Sequence, residues 1–423
     1  MTGNFREQYF SWRPGRLLQN TMHAGGWNVA RIVLQAGSLI LLTRTFGVNT
    51  YGVLAGATSL YITVAQFVGL GTGIALLRHV VQQGQSHSRL RSTQCAYFFT
   101  GLTALLVAWP VSMIALQSLA SPLALACLAA AEVLVAPTLM PYAYLFQAEE
   151  RLFLSGAMQT LAPMARIVAV TAALLLNVHD LDTYALLHLS SITLAVAIAA
   201  FLARRRPGQS ADEHSPLALT VREGLPYMVS SATITAGSEL DKTILLRVQG
   251  SAVTGVYTAA YRVMQAATLP VNSLILAATP RLFRSSQGDS AGLARSLLVA
   301  VLAYSVTAAA GLAVLSPLLH LILGKAFIPS EPILRAFCFN VVTGCVRQLI
   351  TGRLTACDKQ RDRNFIEIAG LIISITLLSL STPTFGPWGA IASLAISDLV
   401  VIGLGIRHLR TANAARPEST KNI

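Results

Sequence analysis

Apolar residues fall along this chain in about twelve blocks, each long enough to cross a lipid bilayer, with short polar gaps between them. A hydrocarbon core about 30 Å thick takes about 20 apolar residues per helix. The blocks lie near 24–43, 52–76, 95–117, 122–146, 154–176, 183–203, 225–246, 252–279, 296–323, 332–352, 364–382 and 387–406. Lipid offers backbone groups no hydrogen-bond partner, so blocks of this length must be helices. The pattern predicts an all-α membrane protein of about twelve transmembrane helices. Pro137 and Pro141 are expected to break the fourth block, and Pro163, Pro270 and Pro317 interrupt others.

The gaps alternate in charge. Arg6, Arg13 and Arg16 precede the first block; Arg78, Arg89 and Arg91 follow the second, Arg151 the fourth, and Arg204, Arg205 and Arg206 the sixth. Arg281, Arg284 and Arg295 follow the eighth; Arg353, Lys359, Arg361 and Arg363 the tenth; Arg407, Arg410, Arg416 and Lys421 the last. The opposite gaps hold only Arg44, Arg247 and Lys325, a ratio of 21 to 3. Basic short loops stay cytoplasmic, so both termini are expected there. The net charge of +13 then faces anionic headgroups, and no nucleic-acid partner is expected. Residues 1–23 are polar, basic and aromatic and the first block is too long for a signal-peptide core, so no cleaved leader is expected.

Residues 204–220 (RRRPGQSADEHSPLALT) form the one long polar stretch inside the chain. They divide it into an N-terminal lobe of six helices (1–203), a cytoplasmic linker (204–220), a C-terminal lobe of six (221–410) and a tail (411–423). A shift of 203 residues lays 42–78 on 245–281: Arg44 on Arg247, Gly47 on Gly250, Gly52 on Gly255, Ala57 on Ala260, Arg78 on Arg281. An even number of spans per lobe makes the repeats parallel, related by an axis along the membrane normal. Two pseudo-symmetric six-helix lobes with a cavity between them make a transporter layout.

Ionisable residues inside spans are costly and point to function. Arg31, Glu132, Arg166, Glu239, Asp241, Lys242, Arg262, Arg335, Arg347 and Asp398 all fall within the blocks. The set has a basic excess, which predicts a hydrated cationic cavity for an anionic substrate; internal ion pairing, of Glu132 with a facing Arg or of Glu239 with Lys242, is the alternative. Arg31, Arg166 and Arg262, central in their spans, and Arg335 nearer an end, are the candidate substrate contacts, because a guanidinium grips phosphate with a planar fork. Glu239, Asp241 and Asp398 are the candidates for ion or proton coupling. The five cysteines form no disulfide framework, and no histidine spacing suggests a metal site, so no cofactor is expected. Asp180-Leu181-Asp182 is read as a turn, not a sugar-nucleotide site.

The run GVNTYGVLAGATSLYITVAQFVGLGTGIALLRHV (47–80) resembles the first outer turn and second helix of Wzx-type polysaccharide flippases. The run DKTILLRVQGSAVTGVYTAAYRVMQAATLPVNSLILAATPRLFR (241–284) resembles their seventh and eighth helices. LLHLILGKAFIPSEPILRAF (318–337) and RLTACDKQRDRNF (353–365) are similar to the turns that follow. That family lies in the multidrug/oligosaccharidyl-lipid/polysaccharide exporter superfamily. The resemblance implies a flippase that turns an undecaprenyl-diphosphate-linked oligosaccharide from the cytoplasmic to the periplasmic leaflet of the inner membrane. The product would be O-antigen or another surface polysaccharide. It implies a proton or sodium gradient as the energy source, and a polysaccharide polymerase and chain-length regulator as partners. Two alternatives remain open on the residues: a multidrug exporter of the same superfamily, and an integral membrane polymerase, ligase or acyltransferase. The short outer gaps leave little room for a catalytic domain.

Overall fold

The chain is described here by a computed structural model covering residues 14–83, 87–116, 119–204, 217–285, 290–357 and 359–414. Among the described residues every regular element is helical. The first half comprises α1 (Pro14–Ala65), α2 (Thr72–Gln83), α3 (His87–Ala115), α4 (Pro122–Ala129), α5 (Leu139–Ala148), α6 (Leu152–Leu175) and α7 (Leu181–Arg204). The second comprises α8 (Leu217–Gln249), α9 (Ser251–Ser285), α10 (Ser290–Leu315), α11 (Leu319–Leu323), α12 (Ser330–Ala356), α13 (Gln360–Phe385) and α14 (Pro387–Ala414). The expected linker lies mostly outside the described residues, as do residues 1–13 and 415–423.

As one rod the 52 residues of α1 would measure about 78 Å, more than twice a bilayer core. It is two crossings joined at Gly47, whose φ of 68° and ψ of −175° leave the helix region. The chain doubles back there. Trp27, before the kink, packs on Phe153, and Gly73, well after it, packs on Tyr144; both partners flank the α5–α6 connection. Phe46 and Tyr51, beside the kink, meet Tyr184 and Phe327 at the other end. We call the Gly47 side the turn end and the opposite side the basic end. Gly250 (φ 83°) makes the matching reversal between α8 and α9. Positive φ is cheap only for glycine, which fixes the residue type at both turns.

Nine stretches of the described residues are long and apolar enough to span a membrane. Both crossings of α1 count there as one, and α8 and α9 are too polar to qualify. Those are the helices carrying Glu239, Asp241, Lys242 and Arg262. Restoring them gives the twelve crossings expected from the hydropathy pattern.

Three crossings depart from regular helices; in the ninth, a 3₁₀ turn (Ser316–Leu318) holding Pro317 separates α10 from α11. The second, expected to run unbroken over 52–76, is interrupted between α1 and α2, where Gly69, Leu70 and Gly71 have φ of 76°, 49° and 75°. There the backbone of Gly71 lies directly against that of Gly224 at the start of α8, with no room for a side chain. The fourth crossing breaks as the prolines predict. A π turn (Ala130–Val135) and a 3₁₀ turn (Ala136–Thr138) separate α4 from α5, with Pro137 inside the latter. Pro163, by contrast, is tolerated within α6.

The lobes meet where the second crossing packs on the seventh and eighth. A β-carbon on Gly52 would strike the Ser251 carbonyl, and one on Gly255 would strike the Val48 carbonyl. These two contacts interchange under the 203-residue shift, the signature of a pseudo-twofold axis. Thr243 donates to the Gly56 carbonyl at 2.8 Å and Ser231 to Gln66 Oε1 at 2.7 Å. His79 reaches Glu223 at 3.1 Å near the basic end. At the turn end Arg44 of the N-terminal lobe donates to the Leu321 and Ile322 carbonyls, both at 2.8 Å.

Packing follows membrane logic. Helix contacts use small residues, which let backbones approach: Ala57, Ala124, Ala129, Ala173, Ala185 and Ala260 are fully buried. Large apolar side chains such as Leu106, Ile114, Leu175, Val314 and Leu380 point outward, toward lipid.

Candidate substrate site: paired guanidiniums between two lobes

Every charged cluster at mid-membrane depth is built from side chains on different helices. In the N-terminal lobe, Glu132 sits on the π turn, a device that recurs at functional sites because it re-aims a side chain. Its Oε1 accepts a hydrogen bond from Arg166 Nη2 of α6 and lies 3.1 Å from His188 Nε2 of α7. Tyr184, one turn before His188, stacks parallel to that ring at 6.1 Å. The carboxylate is buried, while the Arg166 side chain is 30% exposed.

In the C-terminal lobe, Arg262 of α9 grips Glu239 of α8 with both prongs, at 2.9 and 3.0 Å, and reaches Gln265 at 3.0 Å. Glu239 is buried, and Arg262 is again 30% exposed. Ser59, from the other lobe, donates to the same carboxylate at 2.9 Å. Behind this pair Lys242 is wholly buried. Its ammonium bonds the Ser238 carbonyl, lies 2.9 Å from Asp241 Oδ1, and sits 3.4 Å from the centre of the Tyr261 ring. The other Asp241 oxygen takes the Tyr257 hydroxyl at 2.6 Å.

A third cluster joins Arg347 of α12 to Asp398 of α14 at 2.9 Å and to Glu367 of α13. Thr343 donates to Asp398 at 3.1 Å.

Arg166 and Arg262 thus come from different lobes, yet the field of Arg262 reaches Arg166, and Tyr51 of α1 senses both. Their carboxylate partners are buried, while both guanidinium side chains are partly exposed. Of the five N–H donors on a guanidinium, Arg166 gives one to Glu132 and Arg262 gives three to Glu239 and Gln265. The remainder can serve an anion.

The other two arginine candidates stand elsewhere. Arg31 is half-buried on α1, the helix that packs on α6. Arg335 is exposed at the start of α12 and donates to Ser316 at 2.8 Å, away from the guanidinium pair. Glu239, Asp241 and Asp398 are all held by cations. The sequence inventory missed three participants: His188, whose partner is 56 positions away; Glu367, buried well inside α13; and the role of Arg347, which bridges two helices. Hydropathy carries no signal for such pairings. Asp180 and Asp182 behave as turn residues: Asp180 accepts from Thr183 N at 2.8 Å, and Asp182 from Ser121. They border a cleft of about 460 Å³ at the turn end, which Asn49 and Ser251 also line.

The family described as polysaccharide biosynthesis protein matches residues 17–286, well over half of the chain. The chain belongs to that family. No curated protein matches the sequence. Among solved structures, an inward-facing multidrug resistance MATE family transporter of the MOP superfamily superposes with a TM-score of 0.67 at 13% identity, over 91% of this chain and 96% of that one. Lipid II flippase MurJ, in an inward closed conformation, gives 0.67 and 13%, over 92% and 87%. A MOP superfamily transporter from Pyrococcus furiosus, described as having a binding pocket of reverse polarity, gives 0.55 and 14%, over 94% and 95%. Those identities establish a shared fold. This family member is a multi-pass membrane protein that shares the helical fold of those solved structures.

Proposed function

We propose that the chain is a flippase for an undecaprenyl-diphosphate-linked oligosaccharide. It would carry its cargo from the cytoplasmic to the periplasmic leaflet of a bacterial inner membrane for O-antigen or related surface polysaccharide. The basic-residue count sets the turn end outside and both termini inside. The observation that carries the reading is the guanidinium pair. Arg166 and Arg262, one per lobe, are each 30% exposed and are held in place by buried carboxylates. Fixed in this way, two cations lose little freedom when a diphosphate arrives between them. Low dielectric strengthens their pull on it, and rocking of the lobes would expose the pair to each side in turn. Arg31 would extend the cationic surface along α1. An ion gradient would drive the cycle.

The drug-exporter reading asks for the reverse polarity. A site for cationic drugs presents carboxylates; here Glu132 and Glu239 are the buried members of their pairs. The deciding assay uses the purified chain in vesicles with a fluorescent polyprenyl-diphosphate oligosaccharide placed in one leaflet. Transfer is expected with the parent chain and, at limiting substrate, strongly reduced in Arg166→Ala and Arg262→Ala. Equal transfer in parent and both variants, or transfer of cationic dyes alone, rejects the proposal.

A further inference from the structure

Charges in this membrane interior balance in two clusters and not in the third. In the N-terminal lobe Glu132 faces Arg166, with His188 beside it. In the C-terminal lobe Glu239 and Asp241 face Lys242 and Arg262. The third cluster sets two carboxylates, Glu367 and Asp398, against the single guanidinium of Arg347. Both carboxylates are buried, at 4% and 8% exposure. Among the described residues no other cation is within ion-pair reach of either. With both ionised, the cluster would hold a net negative charge in a low-dielectric interior, which is unfavourable enough that a buried group takes up a counter-ion or neutralises instead.

We propose that the Glu367–Arg347–Asp398 cluster binds one exchangeable proton and is the proton-binding site of this chain. Each carboxylate offers an oxygen to Arg347, so a single proton on the pair leaves one ionised carboxylate opposite one guanidinium. Of their remaining oxygens, Asp398 Oδ2 has the Thr343 hydroxyl, whereas Glu367 makes no other hydrogen bond among the described residues. A metal ion fits the cluster poorly. A guanidinium between the carboxylates repels it, and among the described residues no three His, Cys, Asp or Glu side chains converge on one point. Arg347, with 23% of its side chain exposed, is the most open member of the cluster. The other ionisable groups in the field of Asp398 are Cys345 on α12 and Tyr261 on α9. On α8, which packs on α13, the acids Glu239 and Asp241 are already matched by Arg262 and Lys242. This narrows the ion-coupling candidates from Glu239, Asp241 and Asp398 to Asp398 together with Glu367. The site stands whatever the cargo; that its proton drives transport rests on the flippase reading.

The test uses the purified full chain without cargo. Infrared difference spectra are recorded on pH titration, and the protonated-carboxyl carbonyl band is followed. The parent chain should show one such band that disappears as pH rises. Glu367→Gln and Asp398→Asn each remove the surplus charge, so each alone should abolish the band, although one carboxylate of the pair remains. A band that persists in both variants overturns the proposal. So does a parent chain with no titrating band, a result that needs no variant to fold. Sodium in place of choline at constant pH should leave the band unchanged; if sodium displaces it, the site is a sodium site and the proton assignment fails. None of these outcomes depends on transfer of lipid-linked sugar, so this inference and the proposed function fail separately.

Discussion

Ser59 and Arg262 occupy the same place in the two lobes, 203 positions apart, and both hydrogen-bond the same carboxylate, that of Glu239. Under the same shift Asp241 answers to Ser38 and Lys242 to Leu39. The turns, helices and glycine contacts repeat; the charges do not. In the first and second crossings the repeat is hydroxylic or apolar where the seventh and eighth are ionic. The N-terminal lobe instead takes its cation from α6, with one buried acid on a π turn. Backbone geometry in this fold is therefore duplicated, while chemistry is assigned lobe by lobe. An ion pair depends on a few side chains, whereas a helix reversal depends on glycine alone.

The contrast is broken most severely at Lys242. Lys242→Leu leaves Asp241 buried with no cation, only the Tyr257 hydroxyl and the backbone N–H of residue 242, and should cost about 3–5 kcal/mol of stability, read as thermal unfolding in detergent. Asp241→Asn combined with Lys242→Leu should recover most of that loss; a double variant as unstable as the single one would show that packing, not charge, is responsible. Arg166→Ala tests the other lobe. Its side chain is partly exposed and Glu132 keeps His188, so folding should persist. Transport should weaken by about 1.5–3 kcal/mol, roughly ten- to hundredfold in half-saturating substrate. Arg166→Lys, with charge but no planar fork, should fall between that variant and the parent chain. The smallest effect is expected at the shared carboxylate. Ser59→Ala should cost about 1 kcal/mol in the parent chain and almost nothing in a Glu239→Gln background; equal costs in both would mean that the hydroxyl and the carboxylate act independently.

Most of the architecture was legible because lipid imposes strict rules. Twelve crossings, two lobes and the paired reversals at Gly47 and Gly250 follow from apolar block length and from a repeat that aligns glycines. The break at residues 66–71 was not foreseen, since hydropathy averages over Val68-Gly69-Leu70-Gly71 and says nothing of φ; the closely spaced glycines were the available signal. Arg166 and Arg262 were singled out because each is central in its span, and the structure anchors each on a buried carboxylate. Arg335 shared the residue type but lies near an end of its helix, where a long side chain reaches outward. His188 went unnoticed because its meaning depends on a partner from another helix, whereas Glu367, an acid inside the 364–382 block, carries the same signal as the acids singled out. Helix rotation about its own axis decides such meetings, and a span prediction leaves that angle open.

At Gly52 and Gly255 the nearest atoms across the lobe contact are main-chain carbonyls. The separation of the lobes there is set by atoms that no rotamer change can move aside. A methyl group at either position would act as a wedge at one tip of a lever about 30 Å long. It would alter the gap at the far tip without touching a single charged residue. Variants at these two glycines would thus change how wide the assembly stands and leave what it recognises intact.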